Sequence, residues 1–340
     1  MPDVLPLFLI GAAIAAVLAY GGIAAAMPWL KARALAKPNA RSSHSVPTPQ
    51  GGGIVVVPAA LIAAGIALAT EGHDLPVLHL AAVGAAALAL SLIGFMDDVR
   101  GLGIAPRLLA QTSVVVIAVA LLPADLRVAP LMPLWLERAG LIGGTLWFVN
   151  LFNFMDGIDL ISAVETFGIT LGVAILAAIG TVPAVHGTVA VALLGAMAGF
   201  APWNRPRARL FLGDAGSIPL GFLLAVLLIH VAAAGALAAA VILPLYYLAD
   251  ATITLIRRAA RRERVWEAHR SHFYQQAMGN GWSVAEIVGR IGALDAVLVA
   301  LAVASALHGG VGAGVAAVLV AATAVGATLW SLARKRRPPP

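Results

Sequence analysis

The chain has 340 residues, of which 61% are hydrophobic and 11% charged, with a net charge of +6 and no Cys. A soluble domain carries about 25% charged residues, and this much apolar side chain cannot be hidden in one soluble core, so lipid must be the solvent for most of it. Disulfides and thiolate metal sites are excluded outright.

The elements predicted in chain order are apolar runs near the roughly 20 residues that cross a bilayer. The first, Leu5–Met27, has no basic stretch ahead of it and reads as a retained helix rather than a cleaved signal. After it come Gly52–Thr70, Val77–Phe95, Arg107–Leu122, Leu136–Phe152, Glu165–Gly180, Ala184–Pro202, Ser217–His230, Ala234–Ile256, Val288–Leu307 and Val311–Leu332. The expected fold is all-α: a polytopic integral membrane protein of about 11 (10–11) transmembrane helices, one unit over residues 1–340. A basic, His-containing loop at 257–287 and a basic tail at 333–340 stand outside the spans. Abundant Ala and Gly suit close helix approach in lipid.

Lys and Arg set the expected orientation, because they concentrate in cytoplasmic loops. With the first loop inside, 20 of the 22 fall on that side, and only Arg127 and Arg138 lie outside. This places the N-terminus in the periplasm and the C-terminus in the cytoplasm. Asp97, Asp98, Asp156, Asp159, Asp214, Glu263 and Glu267 sort to the same inner face, so the catalytic loops are expected to be cytoplasmic.

Five segments carry chemistry. Lys37-Pro38-Asn39-Ala40-Arg41-Ser42-Ser43-His44, followed by Pro47-Thr48-Pro49 and Gly51-Gly52-Gly53, is a basic loop feeding a glycine-rich helix entry. It fits a lipid phosphate held by Arg41 and His44, or a purely topogenic loop. The chain has no phosphate-binding loop of the Gly-x4-Gly-Lys-Ser/Thr kind. In the second segment, Asp97 and Asp98 stand where an apolar helix emerges, a costly placement that marks an ion, proton or substrate path.

The third segment, Asn150 to Asp159, repeats oxygen donors every third position at Asn150, Asn153, Asp156 and Asp159, which suits Mg²⁺. The fourth, Phe211-Leu212-Gly213-Asp214-Ala215-Gly216-Ser217, offers glycines for close phosphate approach and an Asp that also fits a simple helix N-cap. In the fifth, His269-Arg270-Ser271-His272-Phe273-Tyr274, His and Arg suit a diphosphate. Zinc is the weaker alternative for the two His. The preceding run, Arg257 to Arg264, reads as a juxtamembrane segment touching anionic lipid.

Together these motifs resemble the polyprenyl-phosphate N-acetylhexosamine-1-phosphate transferase superfamily (glycosyltransferase family 4), from about Lys37 to Ser283. Arg41-Ser42-Ser43-His44 with Pro47-Thr48-Pro49, and His269-Arg270-Ser271-His272, look closest to the O-antigen-initiating branch. The resemblance implies transfer of an N-acetylated sugar-1-phosphate from a UDP-sugar to undecaprenyl phosphate, with Mg²⁺ (or Mn²⁺), in the bacterial inner membrane. It implies Asp214 and Asn153 as metal ligands, and Asp97 and Asp98 as the acidic pair beside the lipid phosphate. Asp156, Gly157 and Asp159 would line the nucleotide site, with Phe211 near the uracil and His269 and His272 on the diphosphate. Two positions depart from the family pattern: Ala36, where an Asp is common, and Gln50, where a basic residue is common.

The lipid bilayer is the expected partner besides the two substrates; nucleic acid is not expected, and a homodimer is compatible with the sequence. The rival from another class is a proton-coupled transporter, which explains membrane-edge acids but not their gathering on one face.

Overall fold

The computed structural model describes residues 4–36, 46–71, 77–264 and 269–336. Thirteen helices account for nearly all of its regular structure among these residues. They are α1 (Val4–Arg33), α2 (Gly53–Glu71), α3 (Val77–Arg100), α4 (Ile104–Ala120), α5 (Leu134–Met155), α6 (Ile161–Ala178) and α7 (Ala184–Asn204). The remainder are α8 (Asp214–Ala233), α9 (Leu237–Ile242), α10 (Leu245–Ala260), α11 (Phe273–Gly279), α12 (Val284–His308) and α13 (Val311–Ala333). Two short strands, β1 (Leu35–Ala36) and β2 (Thr48–Pro49), pair antiparallel at the base of the first loop.

Eight helices are long and apolar enough to cross a membrane: α1, α2, α3, α6, α7, α8, α12 and α13. The other three expected spans correspond to less regular pieces. Helix α4 is apolar but only 17 residues long, and α5 is diluted by Glu137, Arg138, Asn150 and Asn153. The expected continuous span Ala234–Ile256 is instead broken into α9 and α10. Pro244 sits at the break, where it lacks an N–H and its ring crowds the preceding turn.

Helix α8 is the axis of the bundle. The protein buries 83% of its apolar window, against 28% for α1, α3 and α13, which leave Val17, Leu78 and Val311 facing outward. Helices α3 and α5 pack along α8, α1 packs along α7, and α6 lies between α7 and α12.

The helices meet closely where small residues allow it. On α3, a Cβ at Gly94 would collide with the carbonyl oxygen of Asp214. The two backbones therefore touch at the end of the bundle that carries the acidic motifs. The β1–β2 ladder closes over the same end, because the Phe211 N–H donates to the Pro49 carbonyl at 2.8 Å and the Gly52 N–H to the Phe211 carbonyl at 3.0 Å.

Candidate active site

The site begins with the grip of α3 on the start of α8. The Asp98 carboxylate accepts hydrogen bonds from the Asp214 and Ala215 N–H groups, each at 3.0 Å. These are donors at a helix N-terminus, which have no partner inside the helix and favour a negative charge. The Ser91 hydroxyl donates to the Ala215 carbonyl at 2.8 Å and secures the same junction. Gly213 turns the chain with φ +73, and a Cβ there would strike the Asp98 carboxylate.

The N-cap alternative for Asp214 is thereby corrected. The capping carboxylate comes from Asp98 across the bundle, which leaves the Asp214 side chain free to face the cavity.

Two neighbours then fix Asp214. Arg107 Nη1 donates to Asp97 Oδ2 at 2.7 Å and to Asp214 Oδ2 at 3.1 Å, bridging α3 and α8 from α4. The Asn153 amide donates to Asp214 Oδ1 at 2.8 Å and to the Ser217 hydroxyl at 2.9 Å. Asp97 Oδ1 accepts the Leu102 N–H at 2.5 Å, so both of its oxygens are engaged.

Asp214, Asn153 and Ser217 open onto a cavity of about 1120 Å³, above the roughly 300–1,000 Å³ of ordinary ligand sites, while Asp97 and Arg107 stand behind them outside its lining. Of the residues singled out from sequence, Asp98, Asn153, Asp156, Gly157, Asp159, Phe211 and Asp214 line it. The lining also includes Lys31, Gln50, Trp203, Arg207, Arg209 and Gln275. Gln50 donates to the Asp98 carbonyl at 2.6 Å, so it holds the acidic end in place. Arg209 lies over the Trp203 ring at 4.6 Å.

The wall between α5 and α7 is laced together locally. Asp159 accepts the Ala208 N–H at 3.2 Å, and Asn204 accepts the Leu160 N–H at 2.7 Å while Leu160 holds φ +67. The Ser162 hydroxyl donates to Asp156 at 2.6 Å. Burial pushes the Asp156 carboxyl up to about 7, the Asp214 and Asp159 charges add to this, and the Ser162 hydroxyl opposes it. Asp156 can therefore accept a proton near neutral pH.

Other expected residues lie elsewhere. Asn150 is one turn further from the cavity and donates to the Leu146 carbonyl of its own helix at 2.8 Å. Arg41 and His44 fall outside the described residues. The His loop does not line the cavity through His269, Arg270 or His272. Instead His272 is buried, with its Nδ1 3.3 Å from Asp250. Asp250 also accepts the Phe273 N–H at 2.9 Å and the Tyr274 N–H at 3.3 Å.

Asp250, which falls within the expected span Ala234–Ile256, is thus the anchor of this loop. Tyr274 carries the loop to the site by donating to the Phe154 carbonyl at 3.2 Å, and Gly157 leaves room for its hydroxyl. Gln275 follows it into the cavity wall. Burial, helped by His272 and Arg258, lowers His269 to about 4, so its ring is neutral near pH 7. Arg270 faces a smaller recess at the end of α10.

The donor set fits a hard divalent cation. Arg107 Nη1 marks a point within 3.1 Å of both Asp97 and Asp214, where positive charge is already bridged. Among the described residues no group of three or more His, Asp or Glu converges as a metal cage. The protein would then supply one or two carboxylates, with water and phosphate completing the shell, which is how Mg²⁺ is usually held. Asn153 points its NH₂ at Asp214, so in this arrangement it orients the carboxylate, and it would have to turn its amide over to act as a ligand.

Arg107 and Asp250 escaped the sequence reading. Arg107 was counted only as a topogenic charge, and nothing local to Asp250 points to a loop about 22 residues away.

Comparison with known proteins bears on the same region. A family model described as glycosyl transferase family 4 matches residues 80–232, which include Asp97, Asp98, Asn153, Asp156, Asp159 and Asp214. A phospho-N-acetylmuramoyl-pentapeptide-transferase of Symbiobacterium thermophilum is 34% identical over 56% of this chain and 63% of its own length. A decaprenyl-phosphate N-acetylglucosaminephosphotransferase of Mycobacterium tuberculosis is 31% identical over 56% of this chain and 52% of its own length. A probable undecaprenyl-phosphate N-acetylglucosaminyl 1-phosphate transferase of Bacillus subtilis is 24% identical over 75% of this chain and 72% of its own length. The chain therefore spans less than two thirds of the first two relatives. The family match and the relatives agree with the superfamily resemblance carried by the motifs.

Proposed function

We propose, from the premise that residues 80–232 carry a glycosyl transferase family 4 core, that the chain transfers an N-acetylated sugar-1-phosphate from a UDP-sugar to undecaprenyl phosphate. The observation that carries this reading is the pair Asp98 and Asp214 in the lining of the large cavity, joined at the α8 N-terminus and backed by Asp97 through Arg107. Phosphoryl transfer depends mostly on positioning and on neutralising charge, and this cluster is built for both.

In this reading a lipid phosphate oxygen attacks the sugar-bearing phosphorus. The bond from that phosphorus to the UMP oxygen breaks, and UMP leaves. Mg²⁺ at Asp214 would offset charge on the diphosphate. Arg207, Arg209 and Lys31 in the cavity lining supply further positive charge. A phosphate monoester has a second pKa of about 6, so its last proton is easily lost, and in this reading Asp156 in the cavity lining would accept it. Direct attack needs no covalent phospho-enzyme.

The Lys/Arg distribution supports a cytoplasmic face for the cavity and tail. The motif resemblance supports the O-antigen-initiating branch and a bacterial inner-membrane location.

The test uses purified full chain, undecaprenyl phosphate, Mg²⁺ and a panel of UDP-N-acetylhexosamines, scored by UMP release. UMP release with at least one sugar is expected, and silence with every sugar from folded protein overturns the proposal. The feature a proton-coupled transporter would use is Glu165 on α6 with Asp295 on α12, both buried and away from the cavity lining. Proton-driven uptake into proteoliposomes without UMP release would favour that rival.

A further inference from the structure

We infer that the corner between α10 and α11 is a second anion site, built for a phosphate group and distinct from the acid-lined cavity. A recess of about 310 Å³ there is lined by Thr254, Arg257, Arg258, Arg261, Arg270 and Ser271, among others, and shares no lining residue with the large cavity.

The recess is a built structure rather than a run of surface charge. Helix α10 ends at Ala260, and the chain reverses at Arg262 with φ +57. The return segment then locks Arg258, whose Nε donates to Glu263 at 2.9 Å and whose guanidinium donates to the Arg264 carbonyl at 2.8 Å. Its side chain is only 7% exposed. Arg257 is held flat over the Phe273 ring at 4.7 Å. The Gln276 amide donates to the Ser271 carbonyl at 2.6 Å and fixes the facing wall.

Arg257, Arg258, Arg261 and Arg270 gather around the recess, and Arg258 pairs with Glu263. Guanidinium forks match phosphate oxygens, and arginines already held in place lose little freedom on binding. The volume is at the lower end for ligand sites and suits a phosphate headgroup better than a sugar nucleotide. Ile253 and Ile256, one turn back and exposed, put apolar surface beside the charge. An anionic phospholipid combines the two features, and basic pockets at the ends of spanning helices bind such headgroups. Free phosphate shares the headgroup chemistry without the chains.

The site also touches the loop anchored on Asp250, because Ser271 and the Phe273 ring belong to that loop. Occupancy would brace the loop that delivers Gln275 to the large cavity.

The test compares retention of phosphatidylglycerol and phosphatidylcholine by native mass spectrometry of full-length protein released from nanodiscs. The double variant Arg257→Gln/Arg261→Gln is set against Arg334→Gln/Lys335→Gln, which removes equal charge from the tail. A nearby basic residue contributes roughly fivefold to anionic-lipid binding, so the first variant should lose about 30-fold and the tail variant far less. A parallel thermal-shift series with inorganic phosphate separates the sources. Stabilisation by phosphate without phosphatidylglycerol preference keeps the anion site and assigns it to free phosphate. Equal losses in both variants, or no response of the unmodified protein to either ligand, overturns the inference. The readout does not depend on UMP release.

Discussion

Asp98→Asn separates a capping carboxylate from one that acts on substrate. Asp98 accepts two N–H groups at 3.0 Å from the first residues of α8. Asn retains one acceptor oxygen and turns an NH₂ toward the other donor. A hydrogen bond to a charged group is worth about 1.5–3 kcal/mol, and an anion at a helix N-terminus adds about 0.3–1 kcal/mol. The substitution should therefore cost about 2–4 kcal/mol at the junction that positions Asp214.

If that loss is expressed in transition-state positioning, turnover falls by about 30- to 1,000-fold, at roughly 1.4 kcal/mol per decade. The assay is UMP release across an Mg²⁺ titration, with thermal unfolding in detergent as the check on fold. Lower turnover together with a raised Mg²⁺ requirement is expected. Unchanged turnover in a folded variant would refute the capping argument. Lost turnover with unshifted Mg²⁺ dependence would instead place Asp98 on the substrate.

Three further outcomes follow from the geometry. Activity should rise with pH through about 7 as Asp156 ionises, and Asp156→Asn should lack that limb of the pH profile. Because the folded carboxyl titrates above its unfolded value of about 3.9, its ionisation destabilises the native state between about pH 4 and 7; the Asn variant should be the more stable protein above that window and gain nothing below it. Arg107→Gln leaves Asp97 and Asp214 facing each other without a bridging cation, and should lower kcat/KM by about 10- to 100-fold, given a partly exposed pair worth roughly 1.5–3 kcal/mol, with Arg107→Lys recovering part of the loss. Asp250→Ala strands the Phe273 and Tyr274 N–H groups at about 1–3 kcal/mol each, so unfolding temperature should drop and protease should reach residues 269–276. An unchanged cleavage pattern would show that the loop is anchored elsewhere.

The acid cluster was legible in the sequence because charge at the end of an apolar helix is expensive and therefore conspicuous. Counting Lys and Arg put Asp97, Asp98, Asn153 and Asp214 on one face, and the structure brings these four together. The same counting hid Arg107, since a topogenic arginine and a site arginine have the same charge. Spacing by three promised that Asn150 would join Asn153, but one helical turn moves it away from the cavity and onto its own backbone.

The His motif was visible as chemistry but not as geometry. Its partner Asp250 lies beyond a helix break and a long basic segment, and only the folded chain shows that His272 faces inward. The break itself was read through, because hydropathy averages over Pro244 while the backbone does not.

That break bears on how the protein enters the bilayer. Helix α9 has six residues and α10 sixteen, and α10 carries Asp250, Arg257 and Arg258. Neither piece can span lipid alone, because α9 is too short and each charged residue on α10 opposes insertion by about 2.5–3.5 kcal/mol at mid-depth. They must be held by neighbours: α8 and α5, which precede them in the chain, and α12 and α13, which follow. The Asp250 anchor, and with it the wall that carries Gln275, is therefore completed only once α12 and α13 have joined the bundle. A nascent chain lacking α12 and α13 would hold Asp97, Asp98 and Asp214 in register around an unfinished cavity, whose lining takes Val284 and Ala285 from the start of α12.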